Sequence, residues 1–196
     1  MQHKVIDTKD VVIRFAGDSG DGMQLTGSLF ADMSAIFGNG LSTFPDYPAE
    51  IRAPHGTESG VSGFQVHIGS EQITTPGDFC DLLVAMNPAA LKANAKWLKR
   101  TAMVLIDQDT FDEAGLTRAG LGEDPISELH IEDRAIIVAP ITTLTHESLK
   151  DSGLDKKTIE KCRICLLSEW LVTFTTVRWS IFSNILSVSS ERRNQN

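Results

Sequence analysis

The sequence predicts an α/β domain of three layers, in which a mostly parallel open sheet is covered by helices on both faces. Three observations carry this. Apolar runs at 11–16, 81–86, 101–106 and 135–139 have the length and continuity of strands buried on both faces. Segments with helical spacing fall between them. A glycine turn, Gly17-Asp18-Ser19-Gly20-Asp21-Gly22, joins the first run directly to the first helix.

Each element has a local reason. Val11 to Ala16 is a short buried strand. Met23 to Phe37 repeats at helical spacing, with Met23, Leu29, Phe30, Met33, Ile36 and Phe37 predicted on one broad buried face. Gly38-Asn39-Gly40 ends that helix as a glycine C-cap. Leu41 to Phe44 is a second short strand. In Val61 to Ile68, Phe64, Val66 and Ile68 alternate with Gly63, Gln65 and His67, the period of a strand with two different faces. Pro88 opens a helix predicted to run to about Leu98, because proline suits a first helical turn. Thr101 to Ile106 and Ala135 to Ala139 are two further buried strands. Helices are predicted over Thr145 to Lys150 and from near Asp155. No internal repeat is visible.

A chain of 196 residues is long enough for one domain with a real core. Its 41% hydrophobic and 22% charged content is that of a globular protein. A net charge of −8 argues against nucleic acid or an anionic membrane surface as the main partner. Met1-Gln2-His3-Lys4-Val5 carries no apolar leader core. Three cysteines (Cys80, Cys162, Cys165) make a disulfide framework a poor fit and suit a reducing cytoplasm.

Open sheets of this kind bind ligands beyond the carboxyl ends of their strands. The glycine loop sits at one such end, where backbone N–H groups and a helix N-terminus converge as a cradle for an anion. Its spacing is G-x-x-G-x-G, not that of a dinucleotide fingerprint, and no lysine follows it as in a nucleoside triphosphate loop. Asp18 and Asp21 also read as caps for orphan amides. Asn87-Pro88, Asp107-Gln108-Asp109 and Pro140-Ile141-Thr142 end three other strands and could line the same crevice. Asn87, Asp107 and Thr142, taken singly, read better as caps or turn residues. Arg52 is the base best suited to a ligand phosphate or carboxylate, through its bidentate fork. A structural pair of Arg52 with Glu50 or Glu58 is the equal alternative. His55 and His67 are weak candidates for general bases, and Tyr47 is expected to pack within its loop.

The stretch from Phe44 to Gln65, FPDYPAEIRAPHGTESGVSGFQ, is too long and particular for a generic connection. It resembles the gamma-type domain of 2-oxoacid:acceptor (ferredoxin) oxidoreductases, most closely the form fused at the N-terminus of the alpha subunit in 2-oxoglutarate oxidoreductases. Ile13 to Met23 looks like that family's glycine loop, with Ser19 and Asp21 where many members carry glycine and glutamine. Leu144-Thr145 and Lys150 to Leu154 also match. The resemblance covers residues 10 to 162. It implies a Rossmann-like structural and interface module of an enzyme that decarboxylates a 2-oxoacid on thiamine diphosphate, reduces ferredoxin and forms an acyl-coenzyme A. It further implies a beta-type thiamine-binding subunit and the remaining alpha-subunit domains as partners, with ferredoxin reached through the holoenzyme. Thiamine diphosphate and iron–sulfur clusters would lie in those other parts; this chain lacks the cysteine groups for clusters. Coenzyme A is the one cofactor this domain could touch, at Gly17, Asp18, Ser19, Gly20, Asp21, Gly22 and Arg52. No residue is given a catalytic or metal-ligating role. The alternative is a stand-alone gamma subunit or anion-binding adaptor without catalysis, and a third reading is a truncated product with no role.

Composition changes beyond the matched region. All fifteen glycines lie at or before Gly153, while Trp170 and Trp179 fall near the end. Ile164 to Trp170 can be encoded ATA TGT TTG CTC TCG GAA TGG. One added A gives AAT ATG TTT GCT CTC GGA ATG, which reads N-M-F-A-L-G-M, very like the family's continuation. Residues 1–162 therefore read as the gamma-type domain and 163–196 as a tail displaced by a single-base deletion near Arg163. Such a tail is expected to pack poorly. The C-x-x-C of Cys162 to Cys165 has no second pair to complete a zinc site. Glu169 and Arg178 interrupt the apolar stretch, so a membrane span is not expected.

Overall fold

The computed structural model describes residues 9–47, 60–163, 166–168 and 171. Arg52 and His55, and residues Glu50 and Glu58, lie outside them.

Six strands form one sheet: β1 (Asp10–Asp18), β2 (Gly40–Asp46), β3 (Val61–Gly69), β4 (Cys80–Ala85), β5 (Leu98–Asp107) and β6 (Ala135–Ala139), in the order β2-β3-β1-β4-β5-β6. β1, β4, β5 and β6 pair in parallel. β3 runs against both β1 and β2, so it alone is reversed. The helices are α1 (Met23–Ile36), α2 (Pro88–Asn94), α3 (Glu113–Ala119), α4 (Pro125–Glu128), α5 (Ile141–Leu149) and α6 (Lys156–Lys161). The result is the three-layer, Rossmann-like α/β arrangement expected.

Strand alternation builds two cores. Ile13, Phe15, Phe64, Val66, Leu82 and Val84 point to one face, where they meet Met23, Phe30 and Met33 of α1 and Ile141 of α5. Val12, Ala16, Leu83, Ala85 and Val104 point to the other, against Ala90 and Leu91 of α2 and Ile131. Phe15 and Phe30 are joined by tilted rings 6.0 Å apart.

Helix α1 rolls away from its predicted face. Met23, Phe30 and Met33 are buried, but Leu29 is exposed and Ile36 is 60% exposed. Thr26, Gly27 and Ser34 take the inner positions instead. The reason is close approach: a Cβ on Gly27 would stand 2.1 Å from the Phe64 ring. Small residues let the helix sink onto β3, and bulky leucines at those positions would hold it off. Gly38, at φ 79°, closes the helix as expected.

Other boundaries also move. The helix predicted to reach Leu98 ends at Asn94, passes through a 3-10 turn at Ala95–Trp97, and β5 starts at Leu98. Asn94 explains the stop: its side chain turns inward, donating to the Ala90 carbonyl at 2.8 Å and accepting from Arg14. Helices α3 and α4 were not predicted, though their signals are present. Asp112 and Asp124 accept from backbone N–H groups three residues on, Pro125 opens α4, and Gly120 ends α3 at φ 61°.

Beyond α6, Leu167 and Leu171 are fully buried in the α1-side core and Leu166 packs beside it. At these described positions the poor packing expected of the tail is not found, because a spacing of four puts both leucines on one helix face. Among the described residues, no helix is long and apolar enough to cross a membrane.

Candidate functional site

The crevice beyond the carboxyl ends of β1, β4, β5 and β6 is the place to look in such a sheet. Met86 N–H, just past β4, donates to the Ala16 carbonyl of β1 at 2.9 Å and closes the floor. The glycine loop stands above it. Ser19 and Gly20 are exposed, Asp18, Asp21 and Gly22 partly buried, and Gly17 buried.

The loop consumes much of its own hydrogen-bonding capacity. Asp18 N–H donates to Asp21 Oδ2 at 2.9 Å, Asp21 N–H to the Asp18 carbonyl at 3.0 Å, and Ser19 N–H to the Gly60 carbonyl at 3.3 Å. Gly22, at φ 80°, turns the chain into α1, and no side chain caps that helix start. The Asp21 carboxylate thus occupies the turn that leads into α1, where the sequence places an anion cradle.

Asp21 has a cationic partner that the sequence did not single out for this place. Arg163 Nη2 donates to Asp21 Oδ1 at 3.1 Å, Arg163 Nη1 to Thr142 Oγ1 at 3.2 Å, and Arg163 Nε to the Glu160 carbonyl at 3.1 Å. Thr142 Oγ1 in turn donates to Asp107 Oδ2 at 2.6 Å. A continuous polar chain thus spans the crevice from the glycine loop to the ends of β5 and β6. Burial raises the Asp21 carboxyl pKa above its ordinary 3.8, and the Asp18 amide and Arg163 only partly offset this. A carboxyl raised in the fold favours the native state most below its unfolded pKa, and that contribution declines as pH rises through the folded value. Asp21→Asn abolishes this titration. Its stability relative to the parent is expected to improve as pH rises from about 4 towards 7, measured by urea unfolding at each pH.

Asp107 is the deepest polar group of the crevice, at 0% exposure. Its Oδ1 accepts from Ile141 N–H at 2.9 Å and from Thr142 N–H at 3.3 Å, so it holds the start of α5. Asp109 Oδ2 accepts from Thr143 N–H at 2.7 Å and does the same one residue later. Asn87 Oδ1 accepts from Ala90 N–H at 2.8 Å and caps α2. The cap reading of Asn87 and Asp107 is what the structure bears out, while Thr142 ties a cap to Arg163. The loop, Thr142 and Asp107 come together; Asn87 serves its own helix.

The remaining candidates lie elsewhere. His67 pairs in register with Val12, near the opposite end of β1 from the loop, and its Nδ1 lies 2.7 Å from the Thr75 carbonyl. It pins a turn and has no place in the crevice. Tyr47 is 69% exposed, contrary to the expectation that it packs in its loop; it follows Asp46, the last paired residue of the edge strand β2. Cys80 is fully buried, its thiol donating to the Trp97 carbonyl, and burial pushes its pKa up to about 11. It is expected to resist alkylation in the folded chain while the part-exposed Cys162 reacts, which peptide mapping after iodoacetamide treatment checks.

Sequence reasoning missed Arg163, Arg14 and Gln24. Gln24 Nε2 donates to the Gly63 carbonyl at 2.6 Å and clamps the first turn of α1 onto β3. Its sequence signal was a long polar side chain in the first turn of the helix.

Comparison with known proteins places this geometry. The model of the pyruvate ferredoxin/flavodoxin oxidoreductase family matches residues 12–159. The chain is 50% identical over 149 residues to the 2-oxoglutarate oxidoreductase subunit KorA of Mycobacterium tuberculosis, covering 76% of this chain and 23% of that protein. Its fold matches a 2-oxoglutarate:ferredoxin oxidoreductase from Magnetococcus marinus, solved with 2-oxoglutarate, coenzyme A and succinyl-CoA bound, at TM-score 0.57 and 25% identity over 79% of this chain and 23% of that one. It also matches the gamma subunit of a keto/oxoacid ferredoxin oxidoreductase from Geobacter sulfurreducens, at TM-score 0.58 and 21% identity over 85% of this chain and 78% of that one. The chain spans about a quarter of the length of the curated relative. It belongs to the pyruvate ferredoxin/flavodoxin oxidoreductase family.

Proposed function

We propose that this chain is the gamma-type domain of a 2-oxoglutarate:ferredoxin oxidoreductase alpha subunit. In that role it is a structural and interface module, and it has no turnover alone. The assembled enzyme would decarboxylate 2-oxoglutarate in the cytoplasm, form an acyl-coenzyme A and reduce ferredoxin. Thiamine diphosphate and iron–sulfur clusters would be carried by a beta-type subunit and other domains. The observation that carries the reading is 50% identity over 149 residues to a 2-oxoglutarate oxidoreductase subunit. The test is co-purification with a beta-type thiamine-binding subunit, followed by 2-oxoglutarate- and coenzyme A-dependent viologen reduction. Co-elution with no turnover by the chain alone supports the reading; a chain that elutes as an unassociated species overturns it. The stand-alone gamma subunit is the second reading, favoured by the 78% coverage of the Geobacter sulfurreducens chain.

Within this reading, Gly17–Gly22 and Arg52 are proposed to meet a phosphate of coenzyme A. The start of α1, free of any side-chain cap, supports that role. Asp21 opposes it, because its carboxylate already engages the Asp18 amide and Arg163. Residues 164–196 are proposed to be read in a shifted frame. The family match ending at residue 159 and the loss of glycine after Gly153 support this. Sequencing the locus decides it, and an intact frame that encodes this same tail would refute it.

A further inference from the structure

A second cavity lies on the opposite face of the sheet from α1. Among the described residues, helix α1 covers β3 and β2 on one side, while on the other α2 packs on β1, β3 and β4. A cleft of about 530 Å³ lies on that second face. That is within the size range of small-molecule sites, roughly 300–1,000 Å³.

Its floor is a buried cation. The Arg14 side chain is 8% exposed. Its Nε donates to Asn94 Oδ1 at 2.6 Å and its Nη1 to Gln65 Oε1 at 3.0 Å. Both amides are locked with their oxygens towards Arg14, because Asn94 Nδ2 donates to the Ala90 carbonyl and Gln65 Nε2 to the Pro76 and Gly77 carbonyls. The guanidinium is therefore held at a fixed angle, with Nη2 towards the opening. There, among the described residues, it meets the Asp46 carboxylate, Oδ2 at 2.5 Å, whose side chain is 44% exposed. Gly63 lies beneath this pair on β3: a Cβ there would stand at ordinary contact distance, 3.4 Å from Asp46 Cβ and 3.6 Å from Arg14 Nη2.

Stability alone does not call for this arrangement, since an apolar side chain of similar volume in place of a buried ion pair is often neutral or better. The neighbouring strand positions on this face, Val12 and Ala16, are apolar. The cleft also carries a second cation, Lys96, a second carboxylate, Asp78, and two aromatic rings, Phe44 and Trp97; Lys96 Nζ lies 5.1 Å from the Trp97 ring centroid. A planar guanidinium suits the two oxygens of a phosphate or carboxylate, and the rings offer stacking area to a flat heterocycle.

We propose that this cleft binds a phosphate-bearing ligand with a flat ring, of the nucleotide class, with the anion on Arg14 in exchange for Asp46 and the ring against Phe44 and Trp97. Asp46 is a placeholder that leaves the guanidinium when the ligand arrives. The proposal is independent of the glycine loop and of the family reading.

The test is titration of the full chain with ADP, followed by calorimetry and by the Trp97 indole N–H resonance. ADP is expected to bind at least tenfold more tightly than adenosine or pyrophosphate alone, and to shift the Trp97 signal. Asp46→Asn, which removes the competing charge, is expected to tighten ADP several-fold. Lys96→Glu, at the surface of the cleft, is expected to weaken it at least fivefold in a chain that folds normally. Arg14→Gln should abolish binding, and Lys96→Glu keeps the test decisive if that variant fails to fold. No ADP binding at millimolar concentration overturns the proposal. So does affinity equal to that of adenosine, or affinity unmoved by both Asp46→Asn and Lys96→Glu.

Discussion

Replacing Asp107 by alanine is expected to lower stability by about 3–5 kcal/mol, because two buried or half-buried backbone donors lose their acceptor at roughly 1–3 kcal/mol each. Ile141 and Thr142 N–H both point at Oδ1, and the Thr142 hydroxyl donates to Oδ2. With the carboxylate gone, the start of α5 has no cap among these contacts, and water has little access to a residue at 0% exposure. A domain has only about 5–15 kcal/mol in total, so the variant sits near its unfolding threshold at room temperature. Asp107→Asn keeps one oxygen acceptor and is expected to lose about half as much. Urea unfolding of the two variants checks both values. Equal losses would mean that the negative charge facing the α5 N-terminus, and not the count of hydrogen bonds, is what the fold needs there.

The same residue shows how far a sequence can be read. Asp107 was legible as a residue at a strand end, because a continuous apolar run stops there. Its cap role was legible too, since short polar side chains at strand-to-helix turns serve the next amides. Its service to Ile141 and Thr142, more than thirty residues on, was not, because nothing local records which strand becomes the neighbour. Arg14 is the stronger case. In sequence it is a polar interruption in a strand; in the fold, β3 places Gln65 beside it and β2 brings Asp46 across Gly63. The glycine loop was visible because its chemistry is contiguous. Arg163 was not, since its partner Asp21 stands 142 residues away. Helix α1 shows the reverse error: apolar spacing found Met23, Phe30 and Met33 but added the exposed Leu29 and Ile36, because Gly27 and Thr26 carry close packing without any hydrophobic signal.

Leu167→Ala and Leu171→Ala are each expected to cost about 2–5 kcal/mol, the range for emptying a fully buried leucine site. Both side chains lie in the core with Phe30, Met86 and Ile141. This prediction bears directly on the frame proposal. Out-of-frame residues have no history of selection for this core, yet a helix continuing from α6 needs only apolar side chains four apart to bury them. In the restored frame position 167 would read alanine, so the parent would fill the layer differently. A chain ended after Arg163 keeps the Asp21 contact but loses both leucines. If it unfolds at the same urea concentration as the full chain, the leucines contribute nothing and the tail is an appendage. If it is destabilised by about the sum of the two substitutions, the domain has adopted a foreign segment as its last layer. Restoring the frame is then expected to match or exceed the stability of the present chain in the same measurement.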